Sequence, residues 1–183
     1  MGQVTLETER LRLVPLAEEH LEHAVELDSD PEVMRYLTGR PTPRAQAEKD
    51  HRRRLTSARD GLGHWAGISD GEFVGWWLLR PAKTEPVEDE AELGYRLRRR
   101  FWRRGLGSEG SRALLRHGFA DLGLRRIFAT TMAVNTASRA TMTAVGLRHE
   151  RTFHPVFDDP LPGIEHGEVE YALTRDQFIQ LNS

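Results

Sequence analysis

The spacing of apolar and polar positions changes several times along the chain, and each change predicts an element. Leu11, Leu13 and Leu16, with Arg10 and Arg12 between them, predict a short strand that Pro15 closes. Leu16, His20, Leu21, Ala24, Val25 and Leu27 then recur at helical spacing, with a break over 28–31 and a further short helical piece over 32–37. Residues 43–59 are polar and helix-prone, with a thin apolar stripe that ends at 60–63. Residues 64–69 and 72–80 predict two strands around Asp70-Gly71, a pair that supplies the positive φ angles of a tight hairpin. The acidic, proline-bearing stretch 81–90 reads as an exposed connection.

From Ala91 the rhythm becomes strand, glycine loop, helix, strand, helix, strand, which is a βαβ pattern. Strands are predicted over 92–97 and 126–132, and helices over 106–120 and 136–145, the second ended by Gly146. Two closing strands, 147–157 and 168–174, surround a loop holding Pro160, Pro162 and Gly163. The fold class is therefore α+β, a mixed sheet with helices packed on it, in one domain spanning 1–183.

Composition narrows the function. With 26 Lys plus Arg against 28 Asp plus Glu, there is no overall attraction to nucleic acid or anionic lipid, so any cationic site is local. The absence of Cys excludes disulfides, thiolate metal sites and a thiol nucleophile. The apolar run around 73–79 is far below the roughly 20 residues of a bilayer span, and nothing at the N-terminus resembles an export signal, so a cytoplasmic location is the default expectation.

The stretch Arg98-Arg99-Arg100-Phe101-Trp102-Arg103-Arg104-Gly105-Leu106-Gly107-Ser108-Glu109-Gly110 lies between a strand and an amphipathic helix. Its glycines allow a tight turn and close backbone approach, and successive N–H groups at a helix start carry the positive end of the helix dipole. The arrangement is an anion cradle suited to a diphosphate, although the same residues also fit a plain turn with a solvated arginine face. Gly105, Gly107 and Gly110 spell a dinucleotide fingerprint, but the next strand ends without the acidic residue that would hold a ribose. No Lys-Ser or Lys-Thr follows, which disfavours a kinase-type loop. An RNA contact through the arginines with Phe101 and Trp102 is a minor reading, and no nucleic-acid partner is expected.

A second marker, Asn135-Thr136-Ala137-Ser138-Arg139 followed by Val145-Gly146-Leu147, stands downstream of Glu92-Leu93-Gly94-Tyr95 and the glycine loop. In this order and separation the chain resembles the GNAT superfamily of N-acetyltransferases, nearest to the RimJ/RimL branch of ribosomal-protein N-terminal acetyltransferases. The resemblance runs loosely from Glu9 to Thr174 and is strongest over 91–147. It implies a mostly antiparallel twisted sheet of about seven strands with a splayed parallel pair. It also implies acetyl-coenzyme A as donor, with its diphosphate on the amides of Arg104, Gly105, Leu106, Gly107 and Ser108. The pantetheine arm would then lie between Tyr95, Leu97 and Arg98 on one strand and 127–132 on the other, with Arg103, Asn135, Ser138 and Arg139 completing the coenzyme site. The family often has Gln or Arg three residues before the first loop glycine; this chain has Trp102, as RimJ-like members commonly do.

The implied reaction is direct transfer of the acetyl group to a primary amine, either a peptide or protein N-terminus or a small amine. An α-amine near pKa 7.7 needs roughly 3.7 kcal/mol less help to be neutral at pH 7 than a lysine near 10.4. Glu92 is the candidate general base, with Asp158, Asp159, Glu165 and His166 in the late loop as alternatives. The family's thiolate-protonating Tyr is missing from the helix after Asn135, and Ser138 is the nearest substitute. Glu109 reads as a helix-start residue rather than a catalyst. An alternative from another class is a coenzyme A-binding sensor that has lost catalysis. Other candidates read as structural. His149 and His154 fall on opposite faces of a strand, so no metal is expected. His20 and His23 read as solvated helix positions. Trp76 and Trp77 alternate faces, one for the core and one for a substrate or second subunit, which leaves a homodimer open.

Overall fold

A computed structural model describes residues 1–183. Eight strands form a single sheet in the order β1-β2-β3-β4-β5-β6-β8-β7, where β1 is Leu6–Glu7, β2 Arg12–Pro15, β3 Gly63–Ser69, β4 Glu72–Arg80, β5 Glu90–Leu97, β6 Arg126–Met132, β7 Arg148–Phe153 and β8 Glu168–Thr174. Five helices flank it: α1 Leu21–Ser29, α2 Arg44–Thr56, α3 Leu106–Arg116, α4 Thr136–Ala144 and α5 Arg175–Leu181. Every neighbouring pair is antiparallel except β5 and β6.

That parallel pair positions the site. It is in register only through Glu90↔Arg126, Ala91↔Ile127 and Glu92↔Phe128, after which the strands part. Beyond Glu92, β5 stays paired to β4 as far as Leu97↔Gly75, so a wedge opens on its other edge. A bulge between Gly67 and Ile68 adds twist to the β3–β4 hairpin on which β5 leans. Gly75 is required there: its φ is +156°, and a Cβ would come within 2.2 Å of the Arg96 carbonyl oxygen.

Both faces of the sheet are covered. Leu13, Trp77, Leu79, Leu93, Ile127 and Leu173 belong to a core that includes Leu106, Leu114 and Leu115 of α3. Ala66, Trp76 and Leu78 point the other way, against Leu16 and Leu27 beside α1. Alternation therefore sends Trp76 and Trp77 to opposite faces as expected, but both are buried, at 4% and 0% exposure, so neither is free for a second subunit.

Several local expectations are corrected. The first helix starts at Leu21, after a 3-10 turn over Glu18–His20. Residues 32–37 form hydrogen-bonded turns rather than a helix, with the Met34 carbonyl accepting from Leu37, Thr38 and Gly39. A segment this short does not offset helix nucleation. β7 stops at Phe153, ahead of Pro155, which has no N–H for a ladder. The helix predicted over 106–120 is α from Leu106 to Arg116 and then a π turn to Asp121. β1 and α5 were not expected, which raises the strand count to eight. His20 is buried, its Nδ1 accepting from the Ala17 N–H, and His23 stacks on Phe73 at 5.0 Å, so neither is a solvated helix position.

Candidate functional site

The arginine run is the first thing the fold sorts. Arg98 donates to Glu26 at 2.8 Å and lies 2.9 Å from His23 Nδ1; Arg99 pairs with Asp30 and Arg100 with Glu72. These three tie the loop to α1 and the hairpin. Arg103 and Arg104 are exposed and form no ion pair. Arg103 sits at φ +58°, an uncommon conformation for a non-glycine residue, and Gly105 at φ +76°, so the chain coils tightly into α3.

Within that coil the amides of Arg103, Arg104, Gly105, Leu106, Gly107 and Ser108 make no hydrogen bond inside the protein; the first helical bond is Glu109 N–H to the Gly105 carbonyl. Backbone donors are normally paired, and a run of free ones at a helix start that opens with two guanidinium groups free of ion pairs has the chemistry of a polyanion site. The three glycines differ. A Cβ on Gly107 would press on the Tyr95 ring at 3.2 Å, whereas one on Gly110 would overlap Trp77 at 2.3 Å. Gly110 therefore serves helix–sheet packing and not the loop.

Glu109 anchors the coil. It accepts from Thr8 Oγ1, the Arg10 N–H and Arg10 Nε, each at 2.7 Å, while Arg10 Nη1 donates to the Arg104 carbonyl at 2.7 Å. Burial alone would raise its pKa, but these bonds hold it below the usual carboxylate value. Trp102 Nε1 donates to the Leu97 carbonyl, and the Leu97 side chain is core.

Tyr95 is half-buried at the wedge, and its hydroxyl faces those of Ser138 and Thr141 on α4. Burial raises its pKa and the two hydroxyls lower it by less. A tyrosine thus reaches Ser138 from β5, although α4 itself has none. Asn135 caps α4 by accepting from the Ser138 N–H at 3.3 Å and donating to Thr131. Arg139 is occupied by Tyr171 Oη and the Ala133 carbonyl.

On the opposite face, Glu92 accepts from Arg80 Nε at 3.0 Å and Nη2 at 2.9 Å. Register places Glu168, opposite Met132, on the same face. Its carboxyl has no hydrogen bond or ion pair, and its pKa is raised by burial and then by the charge of Glu92. Sequence reading missed it, because a Glu opening a strand carries no local signal. The late-loop candidates have partners of their own: Asp159 is 3.9 Å from Arg40, while Glu165 accepts from the Gly163 N–H and lies 3.9 Å from His166. Two further hollows, one by the Leu122–Leu124 turn and one between α3 and α5, include none of Glu92, Tyr95 or Ser138.

Comparison with known proteins bears on this arrangement. The family model described as acetyltransferase (GNAT) domain matches residues 10–148. FsC-acetyl coenzyme A-N(2)-transacetylase of Aspergillus fumigatus is 43% identical over 98% of this chain and 80% of its own length. Among solved structures, RimL, a ribosomal L7/L12 alpha-N-protein acetyltransferase in complex with coenzyme A, superposes with a TM-score of 0.80 over 95% of this chain and 99% of its own at 19% identity. Mycobacterium smegmatis RimJ in complex with CoA-disulfide gives 0.77 over 98% and 95% at 20% identity, and both likenesses are of fold.

Proposed function

Because the chain belongs to the GNAT acetyltransferase family and is an acetyl-coenzyme A-dependent N-acetyltransferase, we propose that the free amides of 103–108 hold the donor's diphosphate and that the β5–β6 wedge takes its pantetheine arm. The observation that carries this reading is the unbroken run of unpaired donors over 103–108, whose first two residues are arginines without an ion pair. A diphosphate is acceptor-only, and the helix dipole and both guanidiniums favour its charge. The edge of β5 beyond Glu92, unpaired to β6, offers backbone groups to the arm's amides.

The acceptor is a small molecule bearing a primary amine. Support comes from the fungal relative, whose name specifies an N(2) amine and whose identity to this chain is about twice that of RimL or RimJ. The chemistry is attack of the neutral amine on the thioester and departure of the coenzyme thiolate. Arg80 holds Glu92 by two hydrogen bonds, whereas Glu168 on the same face has no partner and a pKa raised by burial and then by the charge of Glu92, so Glu168 is the proton acceptor of the two. Ser138, backed by the Tyr95 hydroxyl, protonates the thiolate.

Calorimetric titration with acetyl-coenzyme A, together with mass spectrometry of products from a panel of small amines and peptides, tests the proposal. Binding weakened at least tenfold by Gly107→Val and acetylation of small amines are expected. Equal affinity in that variant removes the diphosphate assignment, and exclusive acetylation of peptides removes the small-molecule one. Glu168→Gln is expected to delete the acidic limb of the kcat/KM profile; if Glu92→Gln does so and Glu168→Gln does not, Glu92 alone is the base.

A further inference from the structure

Asp28, in the last turn of α1, has a fully buried side chain and receives two guanidinium groups. Arg96 Nη1 donates at 2.6 Å, while Arg54 reaches it only at 3.4 and 3.5 Å. The two arginine side chains are 12% and 14% exposed, and both lie over the Trp76 ring, 4.9 and 4.8 Å from its centroid. His64 stands edge-on to the same ring at 5.2 Å. Arg80 pairs with Glu92 and Arg53 with Asp50, Lys83 adds an unpaired positive charge that is felt by Arg96, and one carboxylate serving two arginines leaves positive charge in surplus at the cluster. His64 does not add to it: burial, then the charges of Arg54, Arg80 and Arg96, lower its pKa to about 3 and keep it neutral.

The same cluster holds unpaired polar atoms. Arg96 Nε, Trp76 Nε1 and His64 Nδ1 are each sealed from solvent without a hydrogen-bond partner. Trp76 and His64 are themselves only 4% exposed. Unpaired buried donors carry a desolvation cost, and an unbalanced buried charge carries a larger one, so the cluster is incomplete as it stands. Arg96 and Trp76 supply donors, which require an acceptor, and the surplus charge requires a monoanion; a carboxylate is both.

Its place in the fold links it to the reaction. Arg96 pairs with Trp76 across β4 and β5, on the face that also carries Glu92 and just past the point where β5 leaves β6. Four residues of strand put it about 13 Å from Glu92 along β5. We propose that Arg96, Arg54 and Trp76 form a subsite for a carboxylate carried by the acetyl acceptor, so that the substrate class is amino acids rather than simple amines. This rests on the reading of the wedge as the site of acetyl transfer.

The test compares the common amino acids with their α-amides as acceptors, reading thiol release, in the wild type, Arg96→Gln and Trp76→Phe. At least one acid is expected to exceed its amide by tenfold or more in kcat/KM, even though the amide's less basic amine is the more neutral at pH 7.5. Arg96→Gln should erase that preference through KM. Trp76→Phe keeps an aromatic face and removes the unpaired N–H; it should weaken the preference several-fold beyond whatever Tm it loses to the smaller ring, whereas a purely structural role would lower Tm and leave the preference intact. Amides equal to or better than acids, or a preference that survives Arg96→Gln, overturn the subsite. Calorimetry of N-acetyl amino acids against the coenzyme A complex separates the two readings when no acceptor turns over. Carboxylate-dependent binding lost in Arg96→Gln keeps the subsite and removes the transfer reading, and absence of such binding removes the subsite.

Discussion

Gly105, Gly107 and Gly110 spell one pattern in the chain and answer to three geometries in the fold. Gly105 turns the chain at positive φ, Gly107 leaves room for the Tyr95 ring against the helix start, and Gly110 lets α3 settle on Trp77. The difference is measurable. Gly110→Ala is expected to cost about 1–3 kcal/mol in urea denaturation through overpacking, with coenzyme affinity little changed. Gly107→Val should do the reverse, weakening acetyl-coenzyme A at least tenfold by calorimetry with the smaller loss of stability. Ser138→Ala, which leaves the Asn135 cap on the Ser138 N–H intact, should lower kcat roughly 10²-fold and leave the KM for acetyl-coenzyme A within a factor of two. Legibility at this scale was uneven. The glycines and the Asn135 cap carry local steric and hydrogen-bonding signals, so they could be read; that Arg98, Arg99 and Arg100 are spent on Glu26, Asp30 and Glu72 while Arg103 and Arg104 are not depends on partners remote in the chain.

Between elements, the N-terminus of α3 is held to the start of the chain by Glu109, Thr8 and Arg10. This contact fixes the direction in which the free amides point. Glu109→Gln keeps the shape but weakens charge-assisted bonds, and the expected result is a stability loss of about 1–3 kcal/mol with a several-fold weaker donor complex. Unchanged affinity by calorimetry would show that the coil holds its form without the anchor. The capping box of α5, in which Thr174 Oγ1 accepts from the Gln177 N–H and Gln177 accepts from the Thr174 N–H, was legible as Thr-x-x-Gln but followed directly on a strand, which concealed it. The wedge was expected only through the family resemblance, because nothing in the spacing of β5 and β6 says that their pairing stops at Glu92.

Across the whole molecule, burial of both sheet faces leaves His20, His51 and His64 with lowered pKa values, chiefly by desolvation. Their neutral forms persist in the fold below pH 6.5, while the unfolded chain takes up protons, so the unfolded state binds more protons and stability falls as the pH drops. His64 alone removes about 1.4 kcal/mol per pH unit below its unfolded pKa of 6.5, and its loss continues down to about pH 3. His64→Asn is expected to flatten the decline in urea-derived stability between pH 6.5 and 4.5 by about one proton's worth; parallel curves would contradict the buried neutral state. The sequence by itself determined the α+β class, the Asp70-Gly71 hairpin, the glycine loop before α3 and the capped helix after β6, since period, turn sterics and capping act between neighbours. Tertiary structure alone decided that β8 enters between β6 and β7, that both tryptophans are buried, that Glu168 joins Glu92, and that Asp28 meets Arg54 and Arg96. Those outcomes turn on which distant segments share a face and lose their water, and that energy is set only when the layers close.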